Sequence, residues 1–313
     1  MADLFILPLL AAALGFALAR SNSCTVAATV RLVEDRKADY LLGLGVAAAT
    51  ATLLLAMLTL WNPGSFRLPL HLEIGWAPIL GGMVMGMGAL LNKGCMLGSI
   101  SALGRGNLNY LFTIGGIAIS LAAMRRIYEL PMVGDGMADY GEARLLPLSV
   151  GAALILIGIG LRIALRDRNG SAPYLMLAGT VGALLFATNP YWSYLAAVYR
   201  GVSGDMFGAM IGADIAAIVL FLGATFSAWL RDRLDVVGIE LKQALACLVG
   251  GMAMGVGAQI IPGGNDTLLL WTIPGLATYG IVAYLVMIAT IAIGAIMLGR
   301  IGAWRLRQFR SRP

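Results

Sequence analysis

Long apolar runs broken by short polar or glycine-rich clusters set the pattern of this chain. A hydrocarbon core about 30 Å thick takes about 20 apolar residues as a helix. Nine runs meet or approach that length, at roughly 4–20, 40–61, 74–92, 108–124, 145–165, 174–188, 213–230, 241–261 and 275–299. The predicted fold is an all-α polytopic membrane protein with about nine transmembrane helices. The first run carries Asp3 and no basic n-region, and Ser21-Asn22-Ser23-Cys24 lacks the leucine of a lipoprotein cleavage box. It therefore reads as a retained transmembrane helix rather than a signal peptide.

Between the long runs lie apolar stretches too short to span, each opened by a polar or glycine break. Ser21-Asn22-Ser23-Cys24-Thr25 precedes Val26 to Val33, and Asn92-Lys93-Gly94-Cys95 precedes Met96 to Leu103. In the second half Pro262-Gly263-Gly264-Asn265-Asp266 precedes Thr267 to Trp271, and Gly201 to Asp205 precedes Met206 to Ile211. Such stretches predict re-entrant half-helices, tolerated at membrane depth only where they line a cavity. The first N–H groups of a half-helix are unpaired and carry the positive end of its dipole. Several of these ends aimed at one cavity would attract an anion.

Composition sharpens this picture. The chain is 59% hydrophobic and 12% charged, where a soluble domain carries about 25% charged residues. That excludes an ordinary soluble enzyme, and the net charge of +6 reads as topology signal rather than a nucleic-acid footprint. Assigned to loops alternately, 17 of the 22 basic residues fall on one side and 5 on the other. The positive-inside rule then predicts an inner-membrane protein with its N-terminus outside and its C-terminus in the cytoplasm. The acidic loop 129–142 would face outward and takes no role. The 41 glycines allow close helix approach or breaks within the membrane.

An internal repeat organises the runs. Gly81-Gly82-Met83-Val84-Met85-Gly86-Met87-Gly88-Ala89 returns as Gly250-Gly251-Met252-Ala253-Met254-Gly255-Val256-Gly257-Ala258, with seven of nine positions identical at an offset of 169. The same offset relates Gly94 to Gly263, Gly106 to Gly275 and Tyr110 to Tyr279. The copies lie an odd number of crossings apart, so they run in opposite directions. The expectation is an inverted-topology repeat in one membrane domain: repeat one over 1–128, a connector helix at 145–165, repeat two over 174–300. Transporters built this way hold substrate near the midplane between repeats. A weaker pairing of Arg20-Ser21-Asn22-Ser23-Cys24 with Arg200-Gly201-Val202-Ser203-Gly204 is also expected.

The candidate chemistry falls at the breaks. Cys24 and Cys95 each open a half-helix, where a thiol is a weak donor with a soft, polarizable sulfur. Thiols in an anion site suit a soft, sulfur-bearing anion better than phosphate; the alternative for each is a small buried hydrophobe. Lys93 either adds positive potential beside Cys95 or snorkels to the interface. Asp266, at the matching place in repeat two, caps its half-helix or carries a proton; Asp205 and Asp214 are further proton candidates with capping alternatives. Cys247 reads as core, and His71 as an outer-loop residue. Methionines 83, 85, 87, 252 and 254 invite a soft-metal reading, but their spacing scatters them over different helix faces. The predicted substrate pathway comprises Cys24, Cys95, Ser23, Asn22, Lys93, Gly94, Gly98, Gly263, Gly264, Asn265 and Asp266, with no metal and no cofactor.

These motifs resemble the YeeE/YedE family of sulfur-compound transporters. The resemblance is carried by Gly82 to Ala89, Gly94-Cys95-Met96-Leu97-Gly98 with Leu103-Gly104-Arg105, Arg20 to Cys24, and Gly251 to Ala258 followed by Pro262 to Asp266. It implies a nine-crossing, pseudo-symmetric helical protein pinched by re-entrant helices. It also implies passage of thiosulfate along cysteine S–H groups, of which Cys24 and Cys95 match two; a third would fall near Gly263-Gly264, where this chain has none. A small cytoplasmic sulfur carrier of the TusA type is implied as a partner beside the anion and the bilayer. The chain is expected to be a non-enzymatic importer of a small sulfur anion. Two other readings stay open: a thiol redox protein or sulfurtransferase with Cys95 as persulfide carrier, and a soft-metal transporter.

Overall fold

The computed structural model describes residues 2–21, 23–62, 66–69, 75–125, 146–166 and 171–300. Repeat one contributes α1 (Ala2–Ser21), α2 (Thr25–Asp35), α3 (Asp39–Trp61), α4 (Trp76–Leu91), α5 (Met96–Gly104) and α6 (Leu111–Met124). After α7 (Leu146–Arg166) come α8 (Ser171–Thr188), α9 (Tyr194–Ser203), α10 (Ile211–Trp229), α11 (Leu241–Ile260), α12 (Asn265–Thr267) and α13 (Thr278–Arg300). Helix α12 continues as a π-helical turn over Leu268–Thr272.

Among the described residues seven helices are long and apolar enough to cross a membrane. Two shorter apolar helices, Leu108–Met124 and Val150–Arg162, stand at the fourth and fifth expected crossings. The shortfall from nine is one of length: α6 keeps only 14 helical residues. The chain is an all-α multi-pass membrane protein with its short helices set in an inverted repeat.

Packing shows the symmetry. Helices α4 and α11 cross antiparallel through paired glycines. A Cβ on Gly88 would lie 2.7 Å from the Gly250 carbonyl oxygen, and one on Gly257 would lie 2.8 Å from that of Gly81. Gly81 and Gly88 are the repeat partners of Gly250 and Gly257, so the contact is self-complementary. Without hydrophobic drive between helices in lipid, such backbone approach is what holds them together. Outside this pair, α4 packs on α13 as α11 packs on α6, and α1 packs on α10 as α8 packs on α3. Helix α7 lies against α3 and α8.

The offset of 169 extends to the first half of each repeat. Cys24 is the N-cap of α2 and Ser193 that of α9. Arg31 near the end of α2 forms a bidentate pair with Asp39 at 2.7 and 2.8 Å, and its counterpart Arg200 in α9 pairs with Asp214. This corrects two expectations. Arg20 to Cys24 do not match Arg200 to Gly204, because the latter close α9, with Gly204 at φ 80 as its left-handed C-cap. The fourth short helix is Tyr194–Ser203 rather than Met206 to Ile211, where residues 206–210 form turns and Ile211 already opens α10. Asn189 and Ser193 act as caps, Asn189 to Tyr191 N at 3.0 Å and Ser193 to Ala196 N at 3.3 Å. Asn22, His71 and the acidic loop 129–142 lie outside the described residues.

Candidate anion pathway

Helix α4 stops at Asn92-Lys93-Gly94 because Lys93 turns left-handed at φ 56, which lets Gly94 N donate back to Ala89 O at 3.0 Å. In repeat two Gly263 N donates to Ala258 O at 3.0 Å, with Gly263 at φ 120. That conformation favours glycine, as a helix C-terminal turn requires. Asn92 pins the first break: its Nδ2 donates to Gly94 O at 2.6 Å and to Ser99 Oγ at 2.9 Å, while Thr113 Oγ1 donates to its Oδ1 at 2.6 Å.

The chain then re-enters as α5, with Cys95 as N-cap. Its sulfur accepts from Gly98 N at 3.4 Å and from Thr25 N, the first residue of α2, at 3.3 Å. Two half-helix starts therefore converge on one sulfur atom. The Cys24 and Cys95 sulfurs lie 3.8 Å apart, within S–H···S reach. Sequence spacing suggests no cysteine pair; the fold makes one, with both thiols free. A Cβ on Gly98 would fall 2.5 Å from the Cys24 sulfur, so glycine there is what permits the approach. Thr25 Oγ1 and Tyr284 Oη share a hydrogen bond of 2.9 Å beside the pair.

Cys24 lines a partly open cavity of about 540 Å³ together with Lys93, Tyr40, Arg105 and Arg233. Ser23, Gly94 and Gly98 also line it, together with the acids Asp235 and Glu240. Ser23 Oγ donates to Leu18 O at 3.3 Å. Burial pulls the Arg105 guanidinium below its ordinary value, yet an arginine stays charged at neutral pH. The rim is tied by the backbone: Asp235 N donates to Arg105 O and Val237 N to Gly106 O, each at 3.0 Å.

Behind Cys24 the path narrows. Cys95 is fully buried, and Asn265 Oδ1 accepts from Met96 N at 3.0 Å. Gly264, the repeat partner of Cys95, adopts φ −78 and ψ 176, and Cys95 adopts φ −78 and ψ 177. A Cβ on Gly264 would lie 2.4 Å from both Met96 Sδ and Asp266 Oδ1. The position is thus filled by a thioether and a carboxyl instead of a cysteine. Beyond it Phe186 stacks on Trp271, with ring centroids 5.5 Å apart, and meets Trp192 edge-on.

The expected pathway residues fall into two groups. Ser23, Cys24, Lys93, Gly94 and Gly98 line the cavity, with Cys95 buried behind Cys24 at 3.8 Å; from repeat two Asn265 and Gly264 meet Met96, with Gly263 and Asp266 on either side of them in the chain. Cys247 is buried within α11. Met85 and Met254 point into the core while Met83, Met87 and Met252 are exposed, so these five do not converge. Tyr284 and Arg233 join the site without an advance signal, because a distant helix and a distant loop bring them there. Thr25 and Asn92 were visible in the breaks and Arg105 in a motif, but none was expected among the pathway residues.

An inverted repeat of spanning helices, pinched at its centre by short helix starts around a thiol pair, is the build of a membrane transporter. A model of the family described as sulphur transport matches residues 20–204, more than half of the chain. The chain belongs to this sulphur-transport family and is a sulfur-compound transporter, as its motifs suggested. The match spans Cys24 and Cys95 and ends before Gly263 to Asp266. A comparison with curated proteins found no match.

Proposed function

We propose that this protein imports a small sulfur anion such as thiosulfate across a bacterial inner membrane, handing it from Cys95 to Cys24 and out through the basic-rimmed cavity into the cytoplasm. The observation that carries this reading is the sulfur pair at 3.8 Å, placed between a buried helix start and an open cavity. Two N–H groups already point at the Cys95 sulfur. An anion arriving there finds those donors together with S–H groups, whose soft sulfur suits a sulfur-bearing ion. Neither thiol changes oxidation state or forms a bond, so no enzymatic step is needed.

Cys24 receives the ion next, and Lys93, Arg105 and Arg233 hold a positive potential at the exit. The excess of basic residues on this side of the chain supports, by the positive-inside rule, an exit in the cytoplasm and an N-terminus outside. A sulfur carrier of the TusA type would collect the product at the rim. The reading treats 1–128 and 174–300 as the two repeats and 145–165 as their connector.

Purified protein in liposomes tests the substrate. Radiolabelled thiosulfate is expected to enter protein-bearing vesicles well above empty ones, with unlabelled thiosulfate competing better than sulfate. Equal uptake by empty vesicles, or competition by sulfate as strong as by thiosulfate, would remove the sulfur-anion assignment.

A further inference from the structure

Three acids stand where a proton could be carried, and their surroundings separate them. Asp205 is exposed in the turn after α9. Asp214 is engaged by Arg200 Nε at 2.7 Å and by Phe207 N at 2.9 Å. Asp266 is buried, and its Oδ1 has no hydrogen-bond partner. It sits one residue past the Asn265–Met96 contact, and its free oxygen is one of the two atoms that occupy the repeat-two counterpart of the Cys95 side chain.

Two more buried polar atoms beside it lack partners: Asn265 Nδ2 and Tyr194 Oη. Tyr194, the first residue of α9, lines a narrow pocket with Ser99 and Ile100 of α5, the helix that Cys95 opens, and it interacts electrostatically with Asp266 and Cys95. Buried polar groups are nearly always satisfied, so a cluster of unpartnered ones calls for an explanation. Two of the three atoms belong to adjacent residues at the Met96–Asn265 contact.

We propose that Asp266, with Tyr194 and Asn265, is a proton-loading site that couples each anion passage to protonation of the Asp266 carboxyl. This rests on the reading of the chain as a sulfur-anion transporter whose path runs through Cys95. An ionised Asp266 beside that path repels an oxyanion. Protonated, its carboxyl adds an O–H donor to those of Tyr194 and Asn265, and the cluster can receive the anion. The proton enters from water on the far side, leaves with the anion as it passes Cys24, and is released to water on the cavity side, so one proton crosses with each anion; no covalent bond to the anion forms. Among the described residues the titratable groups facing Asp266 are Cys95 and Tyr194; α5 and Leu268–Thr272 bring no acid or base.

Proteoliposomes with a pH-sensitive dye inside give the test. Addition of thiosulfate to the wild type should acidify the lumen, and its uptake rate should fall about tenfold per pH unit on the alkaline side, as one required proton dictates. Asp266→Asn, permanently neutral, should keep thiosulfate exchange across the bilayer but lose both the pH dependence and the dye signal. Wild-type uptake with an unmoved dye overturns the proposal, as does an Asp266→Asn variant with the wild-type pH profile. A wild type that moves no thiosulfate at any pH refutes the transport reading itself, and the proposal with it.

Discussion

At the scale of single residues, the site depends on atoms that are missing as much as on those present. Gly98 leaves room for the Cys24 sulfur, 2.5 Å from where a Cβ would stand. Gly98→Ala should therefore push Cys24 away from Cys95 and lower thiosulfate uptake by about tenfold or more, as a misplacement on the ångström scale does. The protein should still extract from membranes as a single species; uptake at the wild-type rate would show that the sulfur pair need not be close. The cysteines were legible as helix-opening thiols because each follows a polar break. Their mutual approach was not, since no spacing rule joins residues from two different half-helices. The role of Asn92 was hidden for the same reason: its three hydrogen bonds reach residues two, seven and twenty-one positions away.

At the scale of elements, the repeat was readable where glycines must recur and obscure elsewhere. The α4 and α11 motifs are similar because most of their glycines, Gly82, Gly86, Gly88, Gly250, Gly251 and Gly257, face the backbone of a neighbouring helix, where a side chain would separate the two. Gly88→Ala places a Cβ 2.7 Å from the Gly250 carbonyl oxygen. Overpacking of this kind costs about 1–3 kcal/mol, so the variant should melt lower in detergent, while a change at exposed Gly299, which meets nothing nearby, should leave the transition in place. In α9 no such constraint acts. Cys24 and Ser193 share only the N-cap position, which Ser193 alone caps with its side chain, and Arg31 and Arg200 share only an ion pair, made with acids at different offsets. The Arg200–Gly204 segment therefore mimicked the wrong partner, and the half-helix stood earlier than its glycines suggested.

At the scale of the whole molecule, the low charge and the long apolar runs already demanded a membrane. The three-dimensional arrangement adds an asymmetry that the pseudo-symmetric sequence lacks. Repeat one carries a thiol at its second helix start; repeat two carries Gly264, packed beneath Met96 and Asp266. On the Cys24 side lies a cavity, while the Gly264 position is packed against Met96, whose N–H meets Asn265. The central claim is that the anion passes through the buried thiol at this pinch. The most direct measurement compares radiolabelled thiosulfate uptake by Cys95→Ala and Cys247→Ala in the same vesicles. Both cysteines are fully buried, but only Cys95 meets Cys24. Cys95→Ala should bring uptake down to that of empty vesicles while Cys247→Ala stays near the wild type; undiminished uptake by Cys95→Ala would contradict the account.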